Sequence, residues 1–428
     1  MDFFNHLKTY LSDEQTEKLA QALDKPSKHA LLLNEDKMDE KTLLSLFPHL
    51  ERHPIIPNAF FYDKEEYDLG KTIYHELGCF YLQEPSAMLP AFLLNPNEND
   101  LVLDLCAAPG GKSMQASFLM HNKGLIVSND IAKNRAFAIS ENAERLGRGN
   151  LLIINNDFST IYQYFLNTFD KIILDAPCSG SGMFRKQSET KDDWSIAKVN
   201  KFAEVQKSLI TIAYSMLKEG GEMVYSTCSF SYEEDEEVIK YLLDHTDAEL
   251  ISIEDNSLFH KDNKLPYGIH LLPSLFPGEG HYICLIKKPG VLKRTNPKEG
   301  NNKLPYQIDT NGYKHYQKYG DYLYLQDKEI NLKHFNIIRN GVKVGQIDKN
   351  DIRFDYHYSH FVNGFKSVYE INEQEIEKYY LGESINKSCP KGYVLLKYQG
   401  INVDIAKSDT RIIKNRLPKG LRKKLIVR

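Results

Sequence analysis

Two cysteines stand where chemistry is possible. Asp175-Ala-Pro-Cys178-Ser-Gly-Ser-Gly182 and Tyr225-Ser-Thr-Cys228-Ser229 each follow an apolar run of strand type. A residue at the carboxyl end of such a strand opens on the crevice in which open α/β sheets bind small molecules. Cysteine buried elsewhere is ordinarily inert packing, the expectation for Cys79, Cys284 and Cys389. Ser231-Tyr-Glu-Glu234, just after Cys228, has the capping-box pattern and predicts a helix whose positive end favours a thiolate. With Asp175, the crevice would hold two thiols and a carboxylate. Such a set suits an electron-poor ring. A thiolate that adds to carbon 6 of a pyrimidine makes carbon 5 nucleophilic enough to accept a methyl group.

A donor site is legible nearby. The run Asp104-Leu-Cys106-Ala107-Ala108-Pro109-Gly110-Gly111-Lys112-Ser113 passes from a strand through a tight Gly turn into a helical pattern. Backbone amides in such a turn can approach a ligand closely. The spacing is neither that of a P-loop nor Gly-x-Gly-x-x-Gly, which disfavours a nucleoside triphosphate and a dinucleotide. Asp130, Asp157 and Asp175 end three further strands, so acids line one sheet edge. An acid after the second strand suits a ribose and one after the third an adenine amino group, which fits S-adenosylmethionine. Arg135 reads as an exposed helical charge. No Cys-x-x-Cys pair occurs and no histidine stands at ligand spacing, so neither a metal nor a histidine base is expected.

The elements that must position these residues are short apolar runs at 101–105, 124–128, 151–154, 171–175, 222–227 and 281–288, alternating with helical patterns. That rhythm predicts a parallel, doubly wound Rossmann-like sheet. Phe202, Val205, Leu209, Ile212, Ala213 and Met216 share one face of a helix predicted over 201–217. The polar loop after Cys178, with Arg185, Lys186 and Trp194, reads as a lid. Pro289 to Pro305 has linker composition. The expected division is a mixed lead-in over 1–75, a catalytic domain over 76–290, a linker over 291–305 and a basic, β-rich domain over 306–428.

Charge supports that division. Of 428 residues, 26% are charged and the net charge is −4, but residues 291–428 carry 26 Lys+Arg against 15 Asp+Glu, leaving 28 against 43 for the rest. A basic module fused to an acidic body points to a polyanionic partner. Half of the 26 tyrosines lie beyond residue 290, where they could stack bases. No apolar run reaches membrane-spanning length and the N-terminus lacks a secretion-signal pattern, so a soluble, cytoplasmic chain is expected. With no heptad pattern or apolar patch, a monomer is expected, and no membrane or DNA partner.

The chain resembles the Nol1/Nop2/Sun family of RNA cytosine-5 methyltransferases. The resemblance covers about residues 76 to 288, through DLCAAPGGKS, the Asp130 and Asp157 strand ends, DAPCSGSGMFRK and YSTCSFSYEEDEEV, with FYLQEPSAM (80–88) similar to the family's lead-in. GMFRK (182–186) and the basic extension are most similar to the bacterial RsmF-type subgroup, which implies a C-terminal PUA-like RNA-binding domain and 16S rRNA, or the small ribosomal subunit, as partner. The resemblance implies that Cys106, Ala107, Ala108, Pro109, Gly110, Gly111 and Lys112 wrap the methionine part of S-adenosylmethionine, with Asp130 on the ribose and Asp157 on the adenine. It further implies Cys228 as nucleophile and Cys178 as the residue assisting release. Asp175 would hydrogen-bond or protonate the ring near nitrogen 3, with Lys112 neutralising Asp175 or orienting the donor. Ser181, Tyr232 and LLLNEDK (31–37) depart from the pattern. Competing readings are the same chemistry on tRNA or other RNA, and a catalytically vestigial RNA-binding assembly factor.

Overall fold

A nine-stranded sheet carries the site. The computed structural model describes residues 2–186, 189–262, 266–294, 308–310, 312–313, 315–326, 330–348 and 351–427. The sheet's strands are β1 (Leu101–Asp104), β2 (Leu125–Asn129), β3 (Leu151–Ile154), β4 (Phe169–Asp175), β5 (Leu217–Thr227), β6 (Glu249–Ile251), β7 (Ile269–His270), β8 (Tyr282–Lys287) and β9 (Ile337–Asn340). They lie in the order β6-β8-β5-β4-β1-β2-β3-β9, with β7 paired to β8. From β1 to β5 the pairing is parallel. Val102, Leu103, Ile126, Val127, Leu152 and Ile153 are all fully buried, because both faces of a parallel sheet are covered.

The sheet is mixed, which corrects the wholly parallel expectation. Strand β8 runs antiparallel to both β5 and β6. The helix Glu236–His245 carries the chain from β5 to β6, and β8 returns between the two. A return strand needs no helical crossover, and its first residue lies at the edge where β5 ends. At the other side β9 pairs with β3, so a strand from beyond residue 305 completes the catalytic sheet. The linker expected at 291–305 falls outside the described residues from 295 onward.

Four helices flank the site: α1 (Gly111–Leu119), α2 (Lys133–Leu146), α3 (Ile196–Met216) and α4 (Glu236–His245). Of the expected face of α3, Ile212, Ala213 and Met216 are buried and Val205 is exposed; toward its N-terminal half the buried stripe runs through Val199, Ala203, Gln206 and Ile210, so the face is rotated there. A polar residue, Gln206, sits within that stripe.

An antiparallel sheet before the core takes strands from His29–Leu33, Glu51–Arg52, Ala59–Tyr62 and Phe80–Gln83, and so extends past residue 75. The C-terminal region is β-rich, with two four-stranded sheets and the helix Glu373–Tyr380. Leu31, Phe60, Tyr74 and Phe80 share one core with Tyr379, Val394, Ile401, Ile413 and Val427. The basic tail is part of this closure, since Ile73 N donates to Ile426 O, Ile426 N donates to Lys71 O, and the Lys423 ammonium lies 2.6 Å from Glu76.

Candidate active site

The Gly loop is held by its neighbours before any ligand is considered. Asp104 at the end of β1 accepts a 2.6 Å bond from Ser113 Oγ on α1, which closes the turn. Gly110 has φ +107°, and a Cβ there would lie 3.2 Å from Ile139 Cγ2, so the position requires glycine. The Asn129 amide donates to Leu105 O, and the Ala107 amide donates to Asn129 O. Asn142 and Arg135 donate to Pro109 O and Ala108 O. Arg135 also lies 3.4 Å from Asp130, so this helical charge joins the loop to the buried acid after β2. Burial pushes the Cys106 thiol up, and Asp104, Asp175 and Asp130 add to the shift, which keeps it inert.

Beside the loop, Lys112 Nζ donates to Asp175 Oδ2 at 2.7 Å. Ser226 Oγ donates to Asp175 Oδ1 at 2.7 Å, and His281 Nε2 lies 3.3 Å from the same oxygen. Burial by itself would raise the Asp175 carboxyl. The Lys112 charge and the His281 contact outweigh burial and hold it well below the usual carboxylate range.

The two thiols meet, with Cys178 Sγ 2.8 Å from Cys228 Sγ. Glu234 brings them there. Its carboxylate accepts from Ser179 N at 2.7 Å, Ser229 Oγ at 2.6 Å and Gln206 Nε2 at 3.1 Å, tying the loops after β4 and β5 to helix α3. Gln206 also donates to Pro177 O at 2.8 Å, and Gly182 N to Cys228 O at 2.7 Å. A Cβ on Gly182 would come within 2.8 Å of Cys228 O, so the loops approach too closely for a side chain. The hydrogen bond with Cys228, burial and the nearby Glu234 and Asp175 charges push the Cys178 thiol well up. Cys178 therefore retains its proton at neutral pH.

The expected cap and lid resolve differently, while Asp157 keeps its place after β3. Helix α4 begins only at Glu236, its cap Asp235 makes no side-chain capping bond, and Glu234 points to the thiol loops, so Ser231–Glu234 is no capping box. Asp157 is exposed and caps its own turn through Ser159 N at 2.9 Å. The Trp194 loop is anchored: Trp194, Phe184 and Phe230 form one core with Phe3, Leu7 and Leu19 of the N-terminal helices. Tyr10 Oη donates to Phe230 O at 2.7 Å, beside the Cys228 loop. Sequence reasoning missed His281, Ser226, Gln206 and the true role of Glu234. For His281 the signal was present, since it immediately precedes a strand.

A parallel five-stranded core with a Gly turn after β1 and acids along one edge is the architecture of a Rossmann-like methyltransferase. Three family models match the chain in succession: the N-terminal domain of 16S rRNA methyltransferase RsmF over residues 1–85, 16S rRNA methyltransferase RsmB/F over 91–287, and the methyltransferase RsmF PUA domain over 366–423. The ribosomal RNA small subunit methyltransferase F of Shewanella piezotolerans is 30% identical, covering 94% of this chain and 93% of its own length. The protein of that name from Vibrio vulnificus is 31% identical over 84% of this chain and 82% of its own. Among solved structures, a methyltransferase homologue protein from Pyrococcus horikoshii is 29% identical with a TM-score of 0.58, covering 66% of this chain and 93% of that one. The fold is also that of NSun6 from Pyrococcus horikoshii in a structure with SFG, at 22% identity and a TM-score of 0.62 over 68% of this chain and 98% of that one. The chain belongs to the RsmF family of 16S rRNA methyltransferases, and it is an enzyme.

Proposed function

We propose that this enzyme transfers a methyl group from S-adenosylmethionine to carbon 5 of a cytidine in 16S rRNA, through a Cys228 adduct at carbon 6 of the base. The observation that carries the reading is the contact of two thiols beside an ionised Asp175, at the edge where the Gly loop opens. The stapled turn over Cys106–Lys112, which glycine at 110 lets pack against Ile139, fits a donor bound by backbone amides. Residues 106–112 would hold its methionine part, Asp130 its ribose and Asp157 its adenine. The donor supplies an electrophilic methyl group.

Cys228 as thiolate forms the bond to carbon 6, and the ring electron pair moves toward nitrogen 3. Because Lys112 and His281 keep Asp175 ionised, its role is to accept a hydrogen bond from the cytosine amino group and orient the ring; it has no proton to give nitrogen 3. Carbon 5 then takes the methyl group as its bond to the donor sulfonium breaks, leaving S-adenosylhomocysteine; water takes the proton from carbon 5, and the electron pair it leaves expels the Cys228 sulfur from carbon 6 to restore the aromatic ring. Cys178, protonated and 2.8 Å from Cys228, can hand its proton to the departing sulfur. The target base must leave its stack to reach the crevice.

We assign RNA positioning to the segments at either end of the chain, which share one core. Bisulfite sequencing of rRNA from cells with and without the gene tests the reading. A protected cytidine in 16S rRNA that disappears with the gene is the expected result. Protection lost from tRNA alone would transfer the chemistry to that substrate.

A further inference from the structure

Next to the thiol loops two buried acids, Asp235 and Glu236, share one imidazole among the described residues. Asp235, Glu236 and His270 are all buried, and one ligand-type atom from each lies within 4.8 Å of the others. His270 Nε2 is 2.6 Å from one Glu236 oxygen, and Thr227 Oγ1 donates to one Asp235 oxygen at 2.6 Å. The remaining oxygens, Asp235 Oδ2 and Glu236 Oε2, are buried and have no hydrogen-bond partner among the described residues. Tyr282, whose ring centroid is 4.8 Å from that of His270, also has an unpartnered buried hydroxyl. Buried polar atoms are rarely left so. Here three occur around one imidazole. Two carboxylates and one imidazole gathered within 4.8 Å bracket the roughly 3–4 Å at which metal–ligand bonds of about 2.0–2.2 Å place neighbouring ligands.

We propose that Asp235, Glu236 and His270 bind a divalent transition-metal cation that fixes the Cys228 loop. A zinc- or manganese-class ion is favoured over magnesium or calcium, because imidazole suits the former and the latter take oxygen ligands. The site is built from three elements that meet at the reaction. Asp235 holds Thr227, adjacent to Cys228; Glu236 opens α4; and His270 lies on β7, against the strand that follows His281. The ion is structural in this position, since all three ligands are buried and none touches Asp175 or either thiol among the described contacts. It supplies the positive charge that Lys112 gives Asp175.

The test is metal analysis of the full-length protein, purified without chelator and again after incubation with zinc or manganese chloride and desalting. About one equivalent per chain is expected, with a chelator lowering the melting temperature and the added ion restoring it. Glu236→Gln should lose the metal. His270→Gln retains a hydrogen-bonding side chain beside Glu236, and should lose at least tenfold in metal affinity while still binding S-adenosylhomocysteine, which shows that the sheet is folded. A metal content below a tenth of an equivalent under both conditions would overturn the proposal, leaving buried water or a retained proton to satisfy the three groups. Equal metal content in wild type, Glu236→Gln and His270→Gln would also overturn it.

Discussion

Two sets of acids lie at the ends of neighbouring strands, and they are treated oppositely. Asp175, closing β4, receives Lys112, His281 and Ser226, so its charge is matched within the chain and the carboxyl is held ionised. Asp235 and Glu236, just beyond β5, receive one hydroxyl and one imidazole and keep two unpartnered oxygens. A buried charge with built-in partners is ready for use, whereas one without them must take up a proton or an ion. The first arrangement suits a group that orients a substrate. The second suits a group that awaits a ligand.

The largest effect that would break this comparison is at Asp175. Asp175→Asn keeps the shape but leaves the Lys112 ammonium buried without its carboxylate, and removes the acceptor proposed for the cytosine amino group. Methyl transfer should fall about 10²-fold, measured as single-turnover incorporation into rRNA. A loss of less than fivefold would remove Asp175 from the reaction.

Glu234 is a third case, a buried acid whose partners are neutral donors on both thiol loops and on α3. Glu234→Ala strands Ser179, Ser229 and Gln206 and should cost about 2–4 kcal/mol of stability, read from urea unfolding. Glu234→Gln should recover part of that. Slow alkylation of both cysteines in the folded Ala variant, at the wild-type rate, would show that the loops do not depend on this clamp.

A smaller effect separates matched from unmatched acids by pH. Asp175 is depressed, so its contribution is present above the ordinary carboxylate value of about 3.9 and is lost as pH falls through its folded value. Asp104 is the reverse case: burial raises it to about 7, against the Ser113 bond and the Lys112 charge. The folded state then binds the extra proton between about pH 4 and 7, so this group costs stability as pH rises through that window. Asp104→Asn should therefore gain on wild type most above pH 7 and least near pH 4, compared by urea midpoints. A difference independent of pH would contradict the assignment.

Local sequence carried the Gly loop, the strands β1 to β5 and the two thiols, because each is fixed by residues adjacent in the chain. Contacts set by topology were hidden. His281 was missed because β8 was taken as parallel, which would have put its first residue at the far edge; the return direction puts it against Asp175. Gln206 was missed because a polar side chain interrupts the apolar stripe of α3, which shifted the predicted face toward Val205. Ser231 and Glu234 have cap spacing, but Glu234 makes its bonds to residues far away along the chain. Trp194 read as part of a lid because its partners, Phe3 and Leu7, are at the other end of the sequence.

Trapping of the protein–RNA adduct on denaturing gels tests most directly whether Cys228 attacks and Cys178 assists release. With labelled rRNA and S-adenosylmethionine, Cys178→Ala should accumulate a covalent complex, because addition proceeds and release stalls. Cys228→Ala should form none and transfer no methyl group. An adduct from Cys228→Ala and none from Cys178→Ala would contradict the account and make Cys178 the nucleophile.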